Sequence, residues 1–433
     1  MPAAAPHDAP GGVRSTLPSL TGLRFVAAFV VLVSHTGYLF FMGADPADDY
    51  SDYLFVIGSL GLTFFFVLSG FILTWVARED DTRRLFWRRR LVKIFPNHLV
   101  TLAATVILMT VTGLAVTVEN TLPSVFLLQS FFPMQDVIQG HGINSPSWSL
   151  TCELLFYLCF PLLLPLVRRI RDSRLWLWTG GFTLAVLAVP FVAQVLPDQP
   201  VMWWGGDMSW WEYWFVYHFP VTRMLEFVIG ILMAQIVLRG RWIGLKLPWA
   251  ALLAVAAYGV TTQLPDVFAW MSLSALPLAL VIAAAATADV RGERTGFGGR
   301  TMVWLGEISF ALYIVHYLVL YYGPVRAVDP THGMETWSFA EALGDIALTI
   351  GISLVLAWLL YTFVERPAMR RWSRPSRSPA ASATATAPPG TATTTGTATS
   401  TGTATTTGTA TTTGTAAVGA SEPAPRKEPT LLQ

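Results

Sequence analysis

Residues 20–41 read L-T-G-L-R-F-V-A-A-F-V-V-L-V-S-H-T-G-Y-L-F-F, twenty-two positions interrupted by a single arginine, Arg24, and a single histidine, His35. A helix of that length rises about 30 Å, the thickness of a bilayer's hydrocarbon core. The run is longer than a signal-peptide core and no small-residue cleavage site follows, so it reads as a retained membrane span. Working outward, similar apolar stretches recur near 55–77, 92–115, 148–167, 175–197, 216–238, 247–264, 268–288, 301–322 and 341–363. The sequence therefore predicts an all-α polytopic membrane protein, a bundle of about ten transmembrane helices. The shorter run at 121–133, broken by Pro123 and Pro133, reads as an interfacial or re-entrant element.

Composition agrees. Of 433 residues 53% are hydrophobic and 13% charged, about half the charge of ordinary soluble domains, which excludes a single water-soluble core. The formal net charge is +1, so nothing points to nucleic acid. Cys152 and Cys159 lie seven residues apart on one apolar helix, about 10 Å by helix rise, too far to bridge each other.

The distribution of charge orients the chain. Lys and Arg cluster in Arg78–Lys93, Arg168–Arg174, Arg239–Lys246, Arg291–Arg300 and Arg366–Arg377, every second connection plus the start of the tail. The opposite loops carry Asp45, Asp48, Asp49, Asp52, Glu119, Asp136, Asp198 and Asp207, with Arg326 their one cation. By the positive-inside rule both termini are expected in the cytoplasm, which suits an even number of spans in the cell membrane. Three segments follow: a cytoplasmic 1–19, a transmembrane domain 20–372, and a Thr/Gly/Ala-rich tail 373–433 too polar to build a core and expected to be disordered.

Ionisable side chains at membrane depth are costly and face a cavity, a partner or a pathway. Arg24 and His35 are eleven residues apart, nearly the same helix face and about 16 Å along it. That face presents a cation toward the cytoplasm and a deeper imidazole, a side chain suited to removing a proton near neutral pH. Glu153 and Tyr157 share a face at i,i+4 in a helix that opens at Trp148. Glu153 either orients a histidine, accepts a proton, holds an acceptor hydroxyl, or pairs structurally with Arg223, whose own helix places Glu226 one turn on. Ser309, Tyr313 and His316 form a polar stripe, read either as interhelical hydrogen bonding or as part of a site. The cations Arg88, Arg89, Arg90 and Lys93 precede Phe95-Pro96 and suit either lipid headgroups or a phosphate-rich donor such as coenzyme A. No sequence cluster calls for a metal.

In order and spacing these motifs resemble the membrane acyltransferase-3 family, which includes O-antigen acetylases, glucan succinyltransferases and macrolide acyltransferases. The resemblance rests on L-T-G-L-R-F followed by His35, F-F-F-V-L-S-G-F-I-L at 64–73 and R-R-L-V-K-I-F-P at 89–96. It continues with P-S-W-S-L-T-C-E-L-L-F-Y at 146–157, R-M-L-E-F-V-I-G at 223–230, I-S-F-A-L-Y-I-V-H at 308–316 and F-V-E-R-P at 363–367. It implies an O-acyltransferase that moves an acyl group, acetyl by preference, from acyl-CoA to a hydroxyl of a cell-envelope saccharide or a glycosylated small molecule, with no permanently bound cofactor. His35 and Glu153 are then the expected catalytic residues. Arg24, Arg89, Arg90 and Lys93 are the expected donor-binding residues, with Trp148, Tyr157, Arg223, Glu226, Tyr313 and His316 lining the substrate site. Lys93 stands where the family's Arg-x-x-Arg pair has its second arginine, keeping the charge but not the bidentate fork. Tyr313 or His316 is a candidate oxyanion donor. Many relatives append an esterase-like domain; the tail here implies direct transfer, alone or with a separate acyl-handling partner. The competing reading from another class is a transporter that uses the same buried Arg, His and Glu as a pathway through the lipid.

Overall fold

The computed structural model describes residues 16–41, 48–78, 81–138, 143–202, 208–271, 273–325, 328–329, 333–334 and 338–373. All belong to the unit Met1–Arg374. The expectations for most of segment 1–19 and for the tail beyond Ser373 fall outside these residues.

Among the described residues ten apolar helices of more than ten residues make the domain: α1 (Pro18–Phe41), α2 (Asp48–Val76), α3 (Arg83–Val111), α4 (Trp148–Arg168), α5 (Leu175–Ala193), α6 (Pro220–Leu238), α7 (Leu247–Thr261), α8 (Ala275–Val290), α9 (Arg300–Tyr322) and α10 (Phe339–Leu360). Eight of the segments containing them are long and apolar enough to cross a membrane, and α7 and α8 are shorter apolar helices. At 15 and 16 residues these two rise about 23 Å, less than a full hydrocarbon core. The expected 247–264 and 268–288 stretches are shortened because Pro265 ends the first, and a separate turn, Asp266–Ala269, intervenes before Ser274 starts the second. Segment 121–133 is not a span: it forms the helix Val118–Val125 and the 3-10 turn Gln129–Phe131. The described strands are a two-residue antiparallel pair, Val328–Asp329 with Gly333–Met334, before α10.

The packing is built around α6, buried without a break from Glu226 to Val237 and flanked by α2, α4, α5 and α8. At the α2–α6 crossing, Gly70 and Gly230 allow the backbones to touch: a Cβ on Gly70 would lie 2.0 Å from the Phe227 carbonyl oxygen, and one on Gly230 2.0 Å from that of Val67. Small residues give such close approach where lipid supplies no hydrophobic drive between helices. On the periphery Leu177, Leu184 and Phe191 of α5, Trp249 and Val255 of α7 and Val355 of α10 are exposed, an apolar surface suited to lipid.

Tertiary contacts sort the loops as their charges predict. At one end, Arg239 donates to the carbonyls of Arg168 (2.9 Å) and Ile170 (2.7 Å) and to Asp172 Oδ1 (2.9 Å), and Trp176 Nε1 donates to the Arg241 carbonyl. Two cation-bearing loops are thereby pinned together. At the other end, Trp210 Nε1 donates to the Pro133 carbonyl (2.7 Å) and Trp214 Nε1 to that of Ser130 (3.0 Å), tying two loops that carry only acids among their charges. Two π-helical turns, Trp214–His218 entering α6 and Tyr361–Glu365 leaving α10, re-aim side chains inward, the use to which such turns are commonly put.

Candidate functional site

Five helices line a partly open cavity of about 70 Å³ near the start of α1. Arg24 enters from α1, Phe65 and Phe66 from α2, Lys93 from α3, Ser149, Glu153 and Tyr157 from α4, and Tyr313 from α9. Five residues that the sequence scatters over 290 positions, Arg24, Lys93, Glu153, Tyr157 and Tyr313, thus line one space. Within it Tyr157 Oη donates to Glu153 Oε2 at 3.0 Å, so the i,i+4 relation read from sequence is a real contact. Tyr313 Oη is 2.7 Å from Ser149 Oγ and donates to the Pro146 carbonyl at 3.1 Å. That hydroxyl is held by α4 and its leading turn.

The cations divide into engaged and free. Arg89 is paired with Asp81 at 3.0 Å, and Lys93 is ion-paired with Glu365, which also accepts from Asn97 Nδ2 at 2.6 Å. Glu365 is 1% exposed, and the π turn at the end of α10 delivers it there. The expected donor cluster is therefore smaller than its sequence: Arg83, Arg84 and Arg88 face outward, and Arg89 and Lys93 carry their own counter-ions. Neither Arg24 nor Arg90 is ion-paired among the described residues. Arg90 is buried with its guanidinium 5.8 Å from the Phe86 ring and 5.9 Å from that of Tyr157, which lines the cavity, and its Nε has no hydrogen-bond partner. The ring faces offer it cation–π attraction in place of a carboxylate.

Behind Tyr313, toward the other end of the bundle, His35 of α1 meets His316 of α9. His35 Nδ1 is 2.9 Å from His316 Nε2, the two rings are parallel to within 7°, and His316 Nδ1 lies 2.7 Å from the Tyr313 carbonyl oxygen. Tyr317 stands edge-on to both rings, 5.7 Å from His35 and 6.0 Å from His316. His35 is half-buried and His316 buried. With both ring nitrogens occupied, His316 has no donor left for an oxyanion, which corrects that expectation.

Arg223 and Glu226 are corrected too. They pair with each other at 3.2 Å and both are fully buried. Thr63 Oγ1 donates to Glu226 Oε1 (3.0 Å) and accepts from Arg223 Nη2 (3.2 Å), while the guanidinium faces the rings of Phe66 (5.1 Å) and Tyr217 (5.5 Å). With no exposed surface the pair lies outside the cavity lining, and it joins α2 to α6. The alternative pairing of Glu153 with Arg223 is replaced by the Tyr157 contact. Trp148 is buried at 4.3 Å from the His218 ring and 4.9 Å from that of Tyr217, part of the aromatic wall at the acidic-loop end.

Sequence reasoning assigned no role to Glu365, Asn97 or Tyr317. Glu365 lies inside the quoted F-V-E-R-P motif, a signal that was available, whereas only the register of α9 against α1 exposes Tyr317. Among the described residues no group of three or more His, Cys, Asp or Glu is placed to hold a metal ion.

The family model described as "Acyltransferase domain" matches residues 17–373. Acyltransferase MdmB of Streptomyces mycarofaciens is 42% identical over 374 residues, covering 85% of this chain and 95% of that protein. YrhL of Bacillus subtilis, named provisionally a peptidoglycan O-acetyltransferase, is 25% identical over 388 residues, 81% of this chain, which spans about half (54%) of YrhL. Nodulation protein 10 of Rhizobium leguminosarum bv. viciae is 29% identical over 183 residues, 39% of this chain and 48% of that protein.

Proposed function

The chain belongs to the acyltransferase-3 family, and from that premise we propose that this acyltransferase moves an acyl group, acetyl by preference, from acyl-CoA to a hydroxyl of a saccharide or a glycosylated small molecule. The observation that carries the reading is the convergence of Arg24, Lys93, Glu153, Tyr157 and Tyr313 on one cavity, with the His35–His316 pair on the far side of Tyr313. The name of the Bacillus relative, an O-acetyltransferase, supports a hydroxyl acceptor and a short acyl group.

In this reading the donor's phosphates approach from the cationic end. Arg24 and Arg90 attract them, because neither guanidinium is locked in an ion pair among the described residues. The thioester passes the cavity to reach His35. The imidazole takes the acceptor's hydroxyl proton as its oxygen attacks the thioester carbonyl carbon, a proton transfer that contributes roughly 10²–10⁴-fold. The carbon–sulfur bond then breaks, and the leaving thiolate takes back the proton held by the imidazole. Glu153, held by Tyr157, is a carboxylate beside the donor's path rather than on the histidine, which suits positioning of the donor. The protein works in the cell membrane with both termini in the cytoplasm, as the loop charges suggest, so that a cytosolic donor and a membrane-accessible acceptor meet inside the bundle.

Membranes carrying wild-type protein, incubated with labelled acetyl-CoA, should yield a labelled acceptor identifiable by mass spectrometry. Membranes carrying His35→Ala at equal protein level should not. Equal labelling of both overturns the reading.

A further inference from the structure

Resting on that reading, we infer that His316 is a positioning residue that fixes the tautomer of His35, so that Nε2 of His35 is the atom that takes the acceptor's proton. The argument starts at Tyr313. Its backbone carbonyl oxygen has no hydrogen to give, so the 2.7 Å contact with His316 Nδ1 requires the proton to be on Nδ1. Neither histidine is ion-paired with a carboxylate among the described residues, so no acid there balances a standing imidazolium. A neutral His316 with its proton on Nδ1 presents a lone pair at Nε2. The atom 2.9 Å away is His35 Nδ1, which must then be the donor. A neutral His35 with its proton on Nδ1 carries its lone pair on Nε2, the nitrogen turned away from His316.

The ring geometry fits a hydrogen bond and not a face-to-face stack. Imidazole N–H groups and lone pairs lie in the ring plane, and the two rings are parallel to within 7° with centroids 5.2 Å apart, about the 2.9 Å nitrogen contact plus the two ring radii, so the contact runs along the rings and not between their faces. The proton on His35 Nδ1 thus points along the lone pair of His316 Nε2. The second histidine does for the first what a carboxylate does in a Ser-His-Asp triad: it selects the tautomer, fixes the ring's rotation and stabilises the imidazolium formed during reaction. A neutral imidazole does so without placing a permanent charge at membrane depth.

Proton bookkeeping is simple. His35 Nε2 gains the hydroxyl proton as the acceptor oxygen bonds to the acyl carbon, and the imidazolium's Nδ1–H strengthens its bond to His316. When the carbon–sulfur bond breaks, the same Nε2 proton passes to the thiolate. Both histidines end as they began.

The test uses full-length protein with His316→Leu, His316→Gln and His35→Ala, assayed with acetyl-CoA. Glutamine places an amide oxygen near the position of Nε2 and can accept from His35 Nδ1–H; leucine cannot. His316→Leu should lower kcat about a hundredfold or more with the KM for acetyl-CoA within about twofold, since His316 lies outside the cavity assigned to the donor. His316→Gln should recover at least about tenfold of that loss. Equal rates in the leucine and glutamine variants, both monodisperse and folded, overturn the inference, as does a leucine variant with wild-type kcat. If His35→Ala itself retains activity, it is the reading of His35 as the base that fails, a result distinct from the others.

Discussion

Glu365, at the π turn that ends α10, is the counter-ion of Lys93 on α3. The lysine that sequence comparison offers to the donor's phosphates is thus neutralised from within, and α3 is fastened to the end of α10 by the same contact. Asn97 completes the carboxylate's coordination at 2.6 Å.

This pair predicts a coupled response to mutation. Glu365→Gln leaves an ammonium 16% exposed without its charge partner and should lower unfolding stability by about 3 kcal/mol, near the lower end for breaking a buried pair. Lys93→Met combined with Glu365→Gln removes both charges while an amide oxygen still accepts from Asn97, and should recover most of the loss. Thermal unfolding in detergent for the four members of the cycle measures the coupling, and additive single effects would refute it.

Arg24 should behave differently because it forms no ion pair among the described residues, with Glu153 facing it across the cavity. Arg24→Gln is expected to raise the KM for acyl-CoA about tenfold or more while leaving the unfolding temperature nearly unchanged. Arg89, paired with Asp81 and absent from the cavity lining, should give a KM change under about threefold when replaced by Gln. Steady-state kinetics of the two variants decide whether Arg24 or the Asp81-paired Arg89 meets the donor's charge.

The α2–α6 crossing tolerates no side chain. Gly230→Val would drive a Cβ to 2.0 Å from the Val67 carbonyl oxygen, and backbone cannot yield as a side-chain tip does. The helices must separate, opening voids around Phe71 and Phe227 at a cost of several kcal/mol. The expected result is loss of monodisperse protein in detergent; a folded variant with wild-type unfolding temperature would contradict the packing.

The buried pair of Arg223 and Glu226 should prove structural in a comparison of single and double variants. Arg223→Met alone leaves a carboxylate in a fully buried site, supported only by Thr63, and should cost about 3–5 kcal/mol. Arg223→Met with Glu226→Leu replaces both charges with apolar groups of similar size and should restore most of the stability. Size-exclusion profiles after heating distinguish the outcomes. A double variant as unstable as the single would show that the pair has a task beyond neutralising itself.

The composition, the ten apolar runs and the alternation of loop charge were enough to establish a polytopic helical bundle, because lipid forces every backbone polar group into helix and the positive-inside rule acts on sequence-local charge. The i,i+4 contact of Tyr157 with Glu153 was legible for the same reason, being internal to one helix. The lengths of α7 and α8 were less so, since apolar composition continues through Pro265 and Trp270 where the helix does not.

What the sequence could not decide is which partner each buried polar group meets across helices. Linear spacing put Arg24, Lys93, Glu153 and Tyr313 on faces, but only the packing of α1, α3, α4 and α9 brings them to one cavity. It offered Glu153 to Arg223, and the tertiary structure gave Arg223 to Glu226 and Thr63 instead. It ranked Lys93 with the free cations, and a π turn some 270 positions later neutralises it. His35 was visible as a candidate base from its place in the first span. That its Nδ1 faces His316, and its Nε2 is left to act, depends on the register of α9 against α1. A hydrogen bond is decided over tenths of an ångström between helices, whereas membrane insertion is decided over twenty residues within one.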